Sequence, residues 1–74
     1  MYADVILPLP LEGLFTYEIS DGLASRVSPG MRVSVPLGRS KTYIGIVARV
    51  HDRQPDFKTR AVLSVLDSEP ALLP

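Results

Sequence analysis

The residues best suited to binding chemistry are a glycine and two cations, Gly38, Arg39 and Lys41, which lie close together in the middle of the chain. Apolar residues alternate with other residues on both sides of them, over 31–35 and 43–50. A period of two predicts strands, so the segment between these runs forms the turn of a hairpin. Glycine lets a backbone approach a ligand closely, and cations attract phosphate. The tip of this hairpin is therefore a candidate anion site.

Charge is unevenly distributed along the 74 residues. All eight Lys and Arg residues lie within 26–60, where two aspartates oppose them, whereas both flanks are acidic. A basic middle predicts one face that attracts polyanions. The simpler alternative is that the cations keep strand edges and turns soluble. Charge alone leaves both interpretations open.

Aromatic side chains accompany these cations. Phe15 and Tyr17 flank Thr16 in a predicted strand, and Tyr43 lies in the second strand of the hairpin. Cations along a sugar-phosphate backbone and rings that stack on bases are the two components of single-strand nucleic-acid binding. Core packing competes for the same rings, because Phe15 and Tyr17 share a face with Ile19. Each ring is therefore a candidate for either role.

Catalytic signatures are absent from the sequence. It has no cysteine, a single histidine at His51, and no P-loop, G-x-S-x-G or H-E-x-x-H motif. The same composition leaves no thiolate or histidine cluster for a metal. Asp4, Glu12, Glu18 and Asp21 are interpreted as solvated charges and not as an acid–base pair. The chain is predicted to be a binding domain without catalytic activity, with His51 in a surface loop.

The periodic segments predict a mainly β fold. Alternating runs indicate five short strands, and turn-forming residues separate them. The predicted strands cover 2–7, 14–19, 31–35, 43–50 and 59–66, the third closed by Pro36 and the fifth buried. A short helical turn is expected at 23–27. These elements suit a small five-stranded open barrel of the OB-like or SH3-like kind.

The two ends of the chain carry further signals. The start has no basic segment before its apolar run, and Pro8 and Pro10 interrupt that run, which argues against a secretory signal. No segment reaches the ~20 apolar residues that a membrane-spanning helix needs. At the other end, Asp67, Glu69 and Pro70 stand in the order that begins a helix. We therefore expect this chain to be the front part of a longer protein.

Four motifs in this order and spacing resemble one protein family. They are Phe15-x-Tyr17, the block from Pro29-Gly30 to Pro36-x-Gly38, the segment Ile44-Gly45-Ile46-Val47, and Leu66-Asp67-Ser68-Glu69-Pro70. Together they resemble the N-terminal domain of the primosomal replication-restart helicases of the PriA family, also called primosomal protein N prime. The likeness extends along nearly the whole chain.

The resemblance implies a DNA-binding domain that recognises the three-prime end of the nascent leading strand at stalled replication forks. It implies a domain at residues 1–70 and a connection to the next domain at 71–74. The full-length proteins are ATP-dependent three-prime-to-five-prime DNA helicases that use ATP, Mg and zinc, whereas this segment is expected to need no cofactor and no metal. Expected partners are fork DNA, the helicase and other domains of the same protein, and primosome and single-strand-binding proteins. A cytoplasmic, nucleoid-associated location in bacteria, away from membranes, is implied as well.

The resemblance also implies site residues. Family members contact the terminal nucleotide through a phenylalanine followed by an acidic residue, through a hairpin glycine, and through a lysine at the start of the last strand. The phenylalanine matches Phe15 and the glycine matches Gly38. Arg60 stands in place of the lysine, which keeps a cation for phosphate but changes its geometry.

Thr16 departs from the family pattern, because the matching residue is commonly aspartate. A threonine offers the terminal sugar only a neutral hydroxyl. Recognition of a free end is therefore expected to be weaker, or Glu12 or Glu18 supplies the acceptor. The predicted nucleic-acid-binding residues are Phe15, Thr16, Tyr17, Gly38, Arg39, Lys41 and Arg60.

Two other functions fit the sequence. A sheet edge or the segment 8–14 can dock on another domain or on a replisome protein, which would make the chain a protein-interaction module. Alternatively, the barrel binds internal single-stranded DNA or RNA as tightly as a free end. Salt-dependent binding of oligonucleotides argues against the first, and preference for a free end argues against the second.

Overall fold

The computed structural model describes residues 1–10 and 14–67, which contain one sheet of five strands. The strands are β1 (Tyr2–Ile6), β2 (Phe15–Glu18), β3 (Arg32–Leu37), β4 (Lys41–His51) and β5 (Ser64–Val65). Their order across the sheet is β2-β1-β4-β3-β5, and every neighbouring pair is antiparallel. The predicted mainly β, five-stranded fold is confirmed.

The inward face of the sheet consists largely of small β-branched residues. Such side chains are stiff and pack well on a pleated surface, so they fill the narrow interior of a small, bent sheet. The most deeply buried apolar residues are Ala3, Val5, Val33, Val35 and Val47. The alternation at 31–35 therefore identified the inward face of β3 correctly.

In the first half of β4, the face that carries Tyr43, Gly45 and Val47 points inward, although the face that carries Ile44 and Ile46 is more apolar. Gly45 and Val47 are buried and Tyr43 packs against the core, while Ile44 is 54% exposed. A Cβ on Gly45 would lie 2.7 Å from the Ile6 carbonyl oxygen, which is closer than atoms can approach. The absence of a side chain at this position is what lets β1 cross so near to β4.

A β-bulge interrupts the pairing of β1 with β4. Val5 pairs with Val47, but the preceding residue, Asp4, pairs with Arg49, so Ala48 is the extra residue. One extra residue reverses the face on which the following side chains lie. The bulge therefore moves Arg49 to the outer face of the sheet, beside Asp4.

β3 continues through Pro36 to Leu37, so the prediction that Pro36 closes this strand is wrong. The hairpin turn is shorter than expected and consists of residues 38–40. The carbonyl of Ser34 accepts a hydrogen bond from Leu63 on the β5 side, and Pro36, two residues later, is oriented the same way. Because β5 does not extend that far, the missing N–H of proline interrupts no ladder.

Residues 60–66 join both edges of the sheet. The Glu18 N–H of β2 donates to the Arg60 carbonyl at 2.8 Å, and the Val62 N–H donates to the Glu18 carbonyl at 2.9 Å. Immediately afterwards, β5 pairs with β3. The single buried strand predicted at 59–66 is therefore wrong: two short pairings with different partners replace it, and Val62 is its one buried residue. This arrangement bends the sheet and brings β2 near β3.

The helical turn expected at 23–27 is replaced by consecutive tight turns over residues 21–26. Their hydrogen bonds run from the Leu23 N–H to the Ser20 carbonyl and from the Arg26 N–H to the Leu23 carbonyl. No helix in the described ranges is long and apolar enough to cross a membrane.

The helix start expected at 67–70 lies outside the described residues except for Asp67. The Asp67 carboxylate accepts hydrogen bonds from the backbone N–H of Arg32 at 2.9 Å and from its guanidinium at 2.8 Å. These bonds, the side-chain one first, hold the pKa of Asp67 below its ordinary value. Asp67 thus fixes the chain after β5 to the first residue of β3.

Candidate nucleic-acid interface

A shallow groove of about 230 Å³ lies between the start of β2, the β3–β4 hairpin and the loop that leads to residue 60. We call it the groove. Its lining residues are Leu14, Phe15, Thr16, Tyr17, Pro36, Leu37, Gly38, Phe57, Lys58, Thr59 and Arg60. Five of the predicted site residues line it, although they come from three separate parts of the chain.

Arg60 and Gly38 are in direct contact. The Nη1 group of Arg60 donates a hydrogen bond to the carbonyl oxygen of Gly38. Gly38 has a φ of 72°, a conformation that residues with a side chain rarely adopt, and open space surrounds the position a Cβ would take. Glycine is thus required for its backbone conformation, which presents this carbonyl to the guanidinium.

The two aromatic residues of β2 have different roles. Tyr17 is 4% exposed, and its hydroxyl donates a hydrogen bond to the Pro36 carbonyl at 2.8 Å. Burial raises the pKa of the Tyr17 hydroxyl, and the nearby charge of Arg60 opposes this effect. Phe15 is only half-buried. Tyr17 therefore belongs to the core and forms the floor of the groove, while Phe15 packs partly against the core and leaves part of its surface in the groove.

Of the six lining residues that sequence reasoning did not predict, Phe57 and Lys58 carry groups suited to DNA binding. Both are exposed in the loop before Arg60, and the Phe57 ring is 61% exposed. The one signal was an aromatic residue next to a cation inside a polar segment, which is weak. The groove thus has an exposed ring and a second cation beside the residues that were predicted.

The predicted cations Arg39 and Lys41 do not line the groove. Arg39 lies in the hairpin turn, and Lys41 begins β4 opposite Leu37. Both are exposed on the hairpin that forms one wall of the groove. They add positive charge near the groove without contact to its interior.

Thr16 lies at the border of the groove and faces Asp4 across the β1–β2 pair. Its hydroxyl donates a hydrogen bond to Asp4 Oδ1 at 2.7 Å. Its backbone N–H and C=O point toward the groove side of β2, since Glu18, two residues later, bonds residues 60–62 on that side. Glu18 itself is exposed and does not line the groove, and Glu12 lies outside the described residues.

The interpretation of Asp4 as a solvated charge is wrong. Asp4 is 3% exposed and accepts further hydrogen bonds from Arg49 Nε at 2.6 Å and from His51 Nε2 at 3.2 Å. Burial alone would raise the pKa of this carboxyl, but the hydrogen bonds from Thr16, Arg49 and His51 outweigh it and lower the pKa from 3.8 to about 2. Asp4 is therefore a buried, permanently ionised anchor at neutral pH.

His51 is the last residue of β4 and not a loop residue, which corrects the prediction. Its Nδ1 accepts a hydrogen bond from the Arg53 N–H at 3.2 Å, so Nε2 carries the proton that it donates to Asp4. The ring also stacks on Tyr2, with centroids 6.1 Å apart. No sequence motif reveals this cluster, because Arg49 reaches Asp4 only through the bulge.

Within residues 1–10 and 14–67, no group of three or more His, Cys, Asp or Glu residues is arranged to hold a metal ion. The guanidinium of Arg49 and the imidazole of His51 both bond the Asp4 carboxylate, so this cluster is a hydrogen-bond network. The chemistry available at the groove is therefore stacking, hydrogen bonding and charge attraction.

A comparison with protein families agrees with this chemistry. A family model described as the 3′ DNA-binding domain (3′BD) of PriA matches residues 4–74. The match spans every residue that lines the groove. The chain therefore belongs to the family of PriA 3′ DNA-binding domains, and DNA is its binding partner.

Proposed function

We propose that this domain holds the three-prime-terminal nucleotide of the nascent leading strand at a stalled replication fork, and that the nucleotide lies in the groove. The observation that carries this proposal is the contact of Arg60 with Gly38 beside the half-buried ring of Phe15. A cation, an accessible backbone turn and an exposed ring are what a single nucleotide needs for its phosphate, sugar and base.

The residues of the groove divide naturally among the parts of a nucleotide. Phe15 and Phe57 offer ring faces for a base, and one stacked base contributes about 1–3 kcal/mol. Arg60 uses one terminal nitrogen on Gly38, which leaves the rest of its guanidinium for phosphate. Lys58 adds a second positive charge.

Thr16 has a defined hydrogen-bonding direction. Because its hydroxyl proton is donated to Asp4, the Thr16 oxygen can only accept from a ligand. A free three-prime hydroxyl is a donor, whereas a three-prime phosphate is an anion without a suitable proton at neutral pH. Thr16 therefore favours a free hydroxyl, and Asp4 replaces the need for an acid at position 16.

The deciding experiment compares three oligonucleotides of one sequence that end in a three-prime hydroxyl, end in a three-prime phosphate, or are circular. Binding to the wild-type chain is measured by fluorescence anisotropy. We expect the free hydroxyl to bind most tightly. Equal binding to all three would contradict end recognition but would leave DNA binding intact.

Arg60→Ala tests the phosphate contact. Loss of a phosphate contact should weaken binding to all sequences about equally and should lower the slope of log affinity against log salt by about 0.7 for a single strand. Arg26→Ala removes the same charge from an exposed turn away from the groove and is the matched control. If Arg60→Ala leaves the salt slope unchanged, Arg60 does not contact a DNA phosphate.

The same proposal covers the setting of the domain. The chain acts within a full-length helicase that uses ATP, Mg and zinc elsewhere, in the cytoplasm and on the nucleoid, together with primosome and single-strand-binding proteins. Its own part is to orient the helicase by holding the strand end. Deleting this segment from the full-length protein should impair restart on forked DNA more than unwinding of a simple duplex.

A further inference from the structure

We propose that a second depression, on the outer face of the sheet, binds a backbone phosphate of the same DNA strand upstream of its terminal nucleotide. This inference rests on the proposed function. The depression measures about 290 Å³ and lies beside the buried carboxylate of Asp4. We call it the outer pocket. Its polar walls come from Thr16, Arg49, His51 and Arg53, and Leu14 and Pro55 complete it.

The guanidinium of Arg49 is fixed by Asp4 and can still bind an anion. Its Nε donates to Asp4 at 2.6 Å, while the side chain as a whole remains 68% exposed. A guanidinium anchored through Nε keeps its terminal N–H groups for a second partner, and such a fork matches phosphate. Because Asp4 is buried and engaged by three donors, it anchors Arg49 and presents little negative surface to a ligand.

Arg53 is positioned by the histidine. The Arg53 backbone N–H donates to His51 Nδ1 at 3.2 Å, which fixes the chain just after β4. No side chain in residues 1–10 or 14–67 forms a hydrogen bond or ion pair with the Arg53 guanidinium. Two arginines thus border one depression: Arg49 is anchored, and Arg53 has no anionic partner among the described residues.

The described lining of the outer pocket contains more positive than negative side chains. Of the described residues that line it, Asp4 is the single acid, and its charge is engaged by Arg49. Asp52 borders an adjoining depression that shares Arg49, His51 and Arg53 with the outer pocket. Among the residues that line the outer pocket, an anion therefore meets two guanidinium groups and no exposed carboxylate.

The outer pocket and the groove share two residues, Leu14 and Thr16. Thr16 borders both depressions, and its hydroxyl donates to Asp4, which also lines the outer pocket. Residues 60–62 bond the outer edge of β2 at Glu18, so a polynucleotide can pass from one depression to the other around the edge at Thr16. A strand whose last nucleotide occupies the groove would thus bring an earlier phosphate to Arg49 and Arg53.

The length of the DNA provides the test. Single strands of two and of six nucleotides, with the same three-prime end, are titrated into the wild-type chain and into Arg53→Ala. We expect Arg53→Ala to weaken binding of the six-nucleotide strand about threefold or more and to lower its salt slope by about 0.7, while binding of the dinucleotide is unchanged. Arg53→Glu should weaken the longer strand further. Arg49 is not substituted in this test, because without its guanidinium the buried Asp4 carboxylate would lose an ion-pair partner and the fold would be destabilised.

Two controls separate the possible outcomes. Arg26→Ala removes an equal charge outside both depressions and should weaken the two lengths equally. Phe15→Ala should weaken both lengths, because it acts in the groove. If Arg53→Ala behaves like Arg26→Ala while Phe15→Ala still weakens the dinucleotide, the outer pocket is not a phosphate site and the proposed function stands. If no oligonucleotide binds to the wild-type chain, both proposals are overturned.

Discussion

At the scale of single residues, the chemistry of this domain depends on a buried ion. Asp4 is surrounded by three hydrogen-bond donors from β2 and β4, and each is placed by the sheet. A carboxylate without such donors would be neutral or strongly destabilising at this depth. Its partner Thr16 borders both the groove and the outer pocket, and its partner Arg49 borders the outer pocket.

Acid titration tests Asp4. The folded-state pKa is about 2 and the ordinary value is 3.8, so the stabilisation is present above the ordinary value and is lost as pH falls through the folded one. The wild-type chain should lose about 2 kcal/mol of unfolding free energy through this group between pH values near 5 and 1. Asp4→Asn should be less stable at neutral pH and should show a shallower acid dependence, measured by urea denaturation at a series of pH values.

Asp21→Asn is the matched control for Asp4→Asn, because it removes an equal charge from an exposed turn. It should retain the acid dependence of the wild-type chain. An Asp4→Asn chain with the wild-type acid profile would show that another carboxyl dominates acid unfolding.

Thr16 is tested through the end of the DNA strand. Thr16→Val removes the accepting oxygen and keeps the shape, so it should reduce the preference for a three-prime hydroxyl over a three-prime-deoxy end toward unity. Thr16→Ser keeps the oxygen and should preserve the preference. The readout is the ratio of the two dissociation constants, which a general loss of stability does not change. A preserved ratio in Thr16→Val would exclude the hydroxyl as the end sensor.

At the scale of elements, the hairpin and the bulge place the site residues. The turn at 38–40 presents the Gly38 carbonyl to Arg60, and the bulge at Ala48 turns Arg49 toward Asp4. Both are departures from regular β structure. Bulges bend a strand and re-aim its side chains, which is the effect observed here.

Gly38→Ala tests the hairpin turn. At a φ of 72° an alanine should destabilise the fold by about 1 kcal/mol and weaken DNA binding, because the turn must relax away from Arg60. Gly22→Ala is the matched control, since its Cβ also meets open space but its φ is not positive. We expect Gly22→Ala to be neutral or slightly stabilising. Equal effects of the two substitutions, measured by urea denaturation and anisotropy, would contradict the conformational role of Gly38.

At the scale of the whole molecule, the two edges of the sheet meet at one short segment. Residues 60–62 pair with β2, and β5 pairs with β3. The groove lies at this junction, so its two walls come from opposite ends of the strand order. A chain of this length buries only about 60% of its unfolded surface, and each link across the junction is therefore a notable part of its stability.

Tyr17→Phe tests the junction. The Tyr17 hydroxyl connects β2 to the Pro36 carbonyl of β3, and its loss should cost about 1 kcal/mol of unfolding free energy. DNA affinity should fall with it, because the distance between the groove walls is no longer fixed. Tyr43→Phe, which removes a hydroxyl from a partly exposed ring, is the matched control. Equal losses from both substitutions would argue against a special role for the junction.

The amino-acid sequence by itself determined the fold class and indicated part of the groove. Period-two alternation depends only on neighbouring residues, so the first four strands and the β3 core face were predictable. The family resemblance pointed to Phe15, Gly38 and Arg60 as candidate site residues. The tertiary structure decided what depends on register and on contacts between distant segments. It placed Tyr17 in the core, divided the last strand between two partners, and buried Asp4 beside Arg49 and His51. The physical reason is that one extra residue in β4 changes which side chains share a face, and no local pattern states where a bulge will form.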